Sequence, residues 1–189
     1  MKTKKTSLIV VSLVLMLVAL ACTISVGGPD YPDETIPVST QSVADMQSAI
    51  QTAVAGVGPD GQVTIIISEV QLTSFLAEKL SSQPDAFLQD PQAFLREGQI
   101  RIYGTARSGY LEATASIVLA PAVDAEGQLS LELVSADFGP LPVPEGLKNA
   151  IASIISEAYT GSLGPAATGF RLESVIIADG YMMLIGRVR

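Results

Sequence analysis

The 189-residue chain has no histidine, no tryptophan and one cysteine, Cys22. Without histidine there is no Ser-His-Asp or Cys-His nucleophile and no ordinary zinc site. A lone cysteine forms no internal disulfide, so packing alone must hold the fold. Positive charge is scarce too. Lys2, Lys4 and Lys5 precede the first apolar run, and the rest carries 8 basic against 19 acidic residues, a formal charge of −11. Such a domain is repelled by nucleic acid and gains nothing from anionic headgroups. Lys79 and Lys148 are candidates for a Ser–Lys dyad, but both fall on the polar faces of expected helices. Asp30, Asp33 and Glu34 cluster without calcium-loop spacing. No catalytic constellation, metal site or cofactor site emerges.

The N-terminus is more informative. Leu8 to Leu20 is almost continuously apolar, and Ala19-Leu20-Ala21-Cys22 closes the run. This reads as a secretory signal with a small-residue cleavage site. It also resembles the lipobox of bacterial lipoproteins, whose cysteine thiol receives a diacylglycerol. The alternative is an uncleaved anchor over Ser7 to Val26, roughly the 20 residues a spanning helix needs. Both place the rest of the chain outside the cytoplasmic membrane and tethered to it. Residues 23–40, TISVGGPDYPDETIPVST, show no period and read as a flexible tether of about 25 Å. Residues 41–189 then form a single domain.

Its elements are of both kinds. Val43, Met46, Ile50 and Val54 define an amphipathic helix ended by Gly56. Gly56, Gly58 and Gly61 match G-x-G-x-x-G, but the motif opens a strand rather than a helix, so it reads as a turn. Val63, Ile65 and Ile67 alternate in a strand. Ser68 to Gln71 is a capping box for a helix with Leu72, Phe75, Leu76 and Leu80 inward. Asp90-Pro91 reads as the start of a short helix carrying Phe94 and Leu95. A hairpin turning at Ser108-Gly109 pairs Ala106 with Leu111, Gly104 with Ala113, Ile102 with Ala115 and Ile100 with Ile117. Leu129, Leu131 and Leu133 share a strand face until the phase changes, which predicts a bulge between Leu133 and Ser135. Pro140, Pro142 and Pro144 remove donors along one edge, predicting a bent strand that pairs on one side only. A helix from about Glu145 and a hairpin turning at Asp179-Gly180 complete the chain. The expected fold is α+β: a curved antiparallel sheet of about six strands, packed on or wrapped around amphipathic helices.

The inner faces supply the candidate site. Ile100, Ile102, Gly104, Ala113, Ala115, Ile117, Leu129, Leu131, Leu133, Met182 and Leu184 line an apolar concavity. Its small middle residues admit close approach by a helix of the same domain or by an acyl chain; both readings stand at this point.

From Val63 onward the chain resembles the YpmS-like bacterial proteins, a family of unknown function with one membrane anchor and an extracytoplasmic domain. The resemblance rests on SEVQLTSFLAEKL, RIYGTA, EGQLSLELVSADFGPLPVPEGL and VIIADGYMMLIGR, with FGPLPVP its most distinctive part. Such domains are similar to the tubular lipid-binding superfamily, in which a curved sheet wraps a long helix and lipid fills an apolar tunnel. A lipobox departs from the uncleaved anchor usual in that family, and the family has no catalytic residues to carry over. The implied function is a membrane-tethered domain that binds phospholipid or an acyl chain in a groove. The alternative is an envelope lipoprotein that engages a protein partner and carries no lipid.

The lipobox reading makes the first prediction. Metabolic labelling with a fatty-acid analogue marks the wild type and leaves Cys22→Ser unlabelled. An unlabelled wild type that retains Met1 is instead a signal anchor.

Overall fold

Period-two stretches of this chain pair into sheets, and stretches with three- and four-residue spacing coil against them. The computed structural model describes residues 24–83, 86–163 and 169–188. The apolar run and Cys22 lie outside these residues, as do Gly164 and Pro165, expected with Gly161 to stop the last helix; Gly161 does not stop it, since that helix runs on to Leu163. The strands are β1 (Ile24–Ser25), β2 (Gln62–Ser68), β3 (Gln89–Arg96), β4 (Gln99–Ser108), β5 (Leu111–Val123), β6 (Leu129–Asp137), β7 (Phe170–Ala178) and β8 (Tyr181–Val188). The helices are α1 (Thr40–Ala55), α2 (Glu69–Ser81) and α3 (Leu147–Leu163).

Five strands form one sheet in the order β1-β5-β4-β3, with β6 sharing the β5 edge with β1; β2-β8-β7 form a second sheet. β1 runs parallel to β5 and the other pairs are antiparallel. The result is a strongly curled mixed sheet with helices packed against it, the α+β class expected. The two sheets are tied at both ends of β7. Leu172 N–H donates to Gly127 O at 2.8 Å and Gly180 N–H to Leu95 O at 3.1 Å.

Local signals place several elements as expected. Ser39 caps α1, its hydroxyl accepting from the Gln41 and Ser42 amides. The Ser68 box is complete: Gln71 N–H donates to Ser68 Oγ at 3.3 Å and Ser68 N–H to Gln71 Oε1 at 2.9 Å. The last hairpin pairs Ile177 with Met182 and Val175 with Leu184. In β6 the ladder skips Val134, so that Val118 faces Ser135 and Leu119 faces Leu133. The bulge sits where the hydrophobic phase changes.

Several expectations are corrected. The Asp90-Pro91 segment opens strand β3, not a helix. Those two residues bulge out of the ladder, with Asp90 at φ 48°, and Phe94 and Leu95 then face opposite sides. Glu97 and Gly98 both take positive φ, the signature of a type I′ turn, which folds β3 back onto β4. The β4–β5 hairpin turns at Gly109-Tyr110, two positions further along in register. Ala106 pairs with Ala113, Gly104 with Ala115, Ile102 with Ile117 and Ile100 with Leu119. A shift of two keeps every side chain on its face, so alternation alone does not distinguish the two registers; Gly109, at φ 62°, takes the first turn position. The proline segment is a turn and loop rather than a half-paired strand. Leu141 N–H closes back on Phe138 O at 3.1 Å around Gly139.

Beyond β6, the β5 edge is occupied by the N-terminal segment. Ile24 N–H donates to Tyr110 O, Val26 N–H to Glu112 O and Thr114 N–H to Gly27 O, all at 2.8–3.0 Å. Gly139 lies so close to Gly28 that a Cβ there would stand 2.9 Å from its Cα. Instead of hanging free as a tether, residues 24–39 cross the outer face of the sheet. Tyr31 packs against Tyr103 (centroids 6.0 Å apart), which meets Phe94 edge-on at 5.8 Å. Ile36 is buried, and its N–H donates to Gln92 Oε1 at 2.6 Å. The apolar side chains Tyr31 and Ile36 have a surface to cover, which a period-based reading of this segment does not register. Burial, then the Asp90 charge, raises the Tyr31 phenol above its ordinary value of 10.0. This neutral contact is at full strength below that value and fades only as pH rises through the raised one.

The opposite edge is covered by α2. Ala93 N–H donates to Thr73 Oγ1 at 2.9 Å and Leu95 N–H to Glu69 Oε1 at 2.6 Å. Glu69 also pairs with the Arg96 guanidinium, and its own N–H donates to Gly180 O at 3.0 Å. Four helical residues rise about 6 Å and two strand residues about 6.6 Å, so side chains one turn apart meet alternate edge amides. Glu69→Ala leaves the buried Leu95 amide without a partner and removes the side-chain link between α2 and β3, while the backbone bond to Gly180 stays. We expect a loss of about 1–3 kcal/mol in denaturant unfolding; an unchanged midpoint would show the link to be dispensable.

Candidate functional site

The concave face is the first place to look, because the candidate residues point into it. Ile100, Ile102, Ala113, Ala115, Ile117, Leu131, Met182 and Leu184 are 0–1% exposed. An acyl-chain tunnel would leave its lining accessible to a water-sized sphere from within, and these residues offer no such surface. They form one core with Met46 and Ile50 of α1, Leu72 and Leu76 of α2, and Ile151 and Ile155 of α3. Gly104 is also buried, and Leu88 occupies the space a side chain there would need: its Cγ stands 2.7 Å from the Cβ position. Leu129 is half-buried at the rim of this core, whereas the bulge tips Leu133 out to 37% exposure. The structure thus brings nine of the eleven candidates together as core, with helices in the place of the expected groove.

Apolar side chains also face outward. β2 and β8 alternate, so Ile65, Ile67, Met182 and Leu184 go inward while Ile66 and Met183 go out, and beyond its bulge at Glu173 β7 turns Ile176 out as well. Their register places them in one row: Met183 pairs with Ile66 on one side and Ile176 on the other. Ile66 is 53% and Ile176 46% exposed, with Tyr181 exposed in the neighbouring row. The two-sided apolarity of the last hairpin is visible in the sequence. Its extension across β2 is not, because β2 and β8 are more than 110 residues apart.

A cleft of about 800 Å³ opens between α1, α2 and the segment entering β3. Val43, Ala77, Leu80 and Leu88 line it, with Ser39, Ser74, Glu78 and Gln92 among its polar groups. None of the sequence-derived candidates borders it. Lys79, considered for a Ser–Lys dyad, is held by Glu157 of α3 at 2.7 Å and lies over the Phe75 ring. Lys148 is exposed at the start of α3. Among the described residues no group of three acidic or cysteine side chains is gathered as a metal site would need. No helix among them is long and apolar enough to cross a membrane.

Neither a family model nor a curated protein matches the chain.

The filled concavity makes a direct prediction. Ala115→Phe forces a ring into a close-packed core and costs about 1–3 kcal/mol. For a domain of this size the melting temperature falls by several degrees. An unchanged melting temperature with loss of lipid uptake would instead put a mobile ligand beside Ala115.

Proposed function

We propose that the chain is a membrane-tethered extracytoplasmic domain that works by binding a protein partner through the outer face of its second sheet. The row Ile66, Met183 and Ile176 carries this reading. Three large apolar side chains side by side on a rigid sheet form the kind of surface that partner proteins cover. The resemblance to YpmS-like proteins agrees with a binding role without naming a ligand, since a fold hosts many functions. The tether rests on the N-terminal sequence, and the position of β1 bears on its chemistry. Ile24 to Val26 are bonded to β5, so an anchor starting at Ser7 keeps 17 residues, the lower limit for a spanning helix. That shortening supports acylation at Cys22 over a spanning segment.

A second reading keeps an apolar ligand such as an acyl chain, and the cleft between α1 and α2 favours it. Its volume lies within the range of small-molecule sites. The two readings separate in one experiment. A photo-reactive residue at position 176 of the full chain, expressed in its membrane, yields an adduct of discrete mass with another protein. Ile66→Glu and Met183→Glu abolish that adduct while the melting temperature stays within a few degrees. No adduct, with phospholipid retained in native mass spectrometry of the purified protein, moves the function to the cleft.

A further inference from the structure

One end of the first sheet gathers the turn of the β4–β5 hairpin, the start of β1 and the loop before α3. Tyr110 and Ile24 are 68% and 58% exposed, and Leu111 and Val143 are exposed beside them. Ile24 pairs with Leu111, and its N–H donates to Tyr110 O at 2.9 Å. Val143 and Phe87 border one cleft with Arg107 and Ser108, which places them next to the hairpin tip. Cys22 precedes Ile24 by two residues, which reach roughly 7 Å when fully extended.

We infer that this end of the sheet is seated on the lipid bilayer, with Tyr110, Leu111 and Ile24 in the interface. The inference rests on the membrane-tether reading and adds an orientation to it. An 18-residue free tether would let the domain tumble, but residues 24–39 are spent on the sheet. With so little free chain between a lipidated Cys22 and β1, the hairpin tip cannot leave the headgroup region. What it presents there is apolar, with a tyrosine, the residue type that collects at membrane interfaces because its ring is amphipathic. Arg107 is neutralised by Glu112, so the contact does not depend on anionic lipid. β4 then rises for ten residues, roughly 30 Å, and holds the second sheet away from the membrane.

The absence of tryptophan makes the test clean. Full-length Tyr110→Trp is reconstituted into phosphatidylcholine vesicles with or without bromine on the acyl chains, and Tyr181→Trp, on the second sheet, is compared. The tryptophan of Tyr110→Trp loses most of its emission in brominated vesicles, and that of Tyr181→Trp keeps it. Ile24→Trp repeats the first result should Tyr110→Trp fold poorly. A protein that floats with the vesicles but is unquenched at 110 and 24 keeps its tether and overturns the seat. Equal quenching at 110 and 181 overturns it too, since the domain then has no fixed orientation. A protein that does not float overturns the tether, and the seat with it.

Discussion

The curled sheet of this protein depends on the closing of its β3 edge. A strand at the end of a sheet presents a row of amides and carbonyls that must find partners or invite another chain. At β3 the partners are side chains: Thr73 and Glu69, one helical turn apart on α2, take the amides of Ala93 and Leu95. The match between helical rise and strand repeat makes α2 a substitute for a ladder neighbour. Glu69 does more, because its backbone and side chain also reach the β7–β8 turn and Arg96. One acidic residue at the first position of a helix therefore joins α2, the large sheet and the small one. At the other edge β6 and the N-terminal segment divide the length of β5 between them.

Closing the β3 edge this way sets where α2 lies. With α2 bound along β3, its apolar face turns into the concavity, and α1 and α3 complete the filling. The small residues at the middle of the β4–β5 hairpin are the counterpart of that approach: Gly104 accepts Leu88, and Ala113 and Ala115 lie under the packed core. Small size on a buried face signals close approach, but not by what. Here the occupant belongs to the chain itself. Apolar surface available to others is then on the outside, at the row across the second sheet and at the hairpin tip. The β7–β8 turn beside that row is bonded to Leu95, which pairs with Ile100 at the start of β4, whereas the hairpin tip follows the end of β4.

Much of the fold is legible because it is written in short-range patterns. The capping box at Ser68, the bulge at Val134 and the Asp179-Gly180 register are all set within a few residues. Two of the failures come from reading a segment in isolation. β3 reads as a helix because Asp90-Pro91 is a good helix start in isolation, whereas β4 offers it a ladder. The Glu97-Gly98 turn, flanked by Leu95 and Ile100, is the signal that could have revealed the strand. The segment 24–39 reads as free because its anchoring residues, Tyr31 and Ile36, are too sparse to make a period.

Of the candidate site, the sequence determined which side chains face inward except at Leu133, which the bulge turns out, since alternation is a property of the strand itself and survives even a two-residue slip in register. It also determined the acidic charge, the absence of histidine and the apolar N-terminus, which need no fold to be read. What occupies the inward face, which strand lies beside β8, and how little chain separates Cys22 from the sheet were decided only by tertiary structure. Each depends on contacts between segments tens of residues apart, and those form only when burial and edge pairing across the whole domain outweigh the entropy of bringing the segments together.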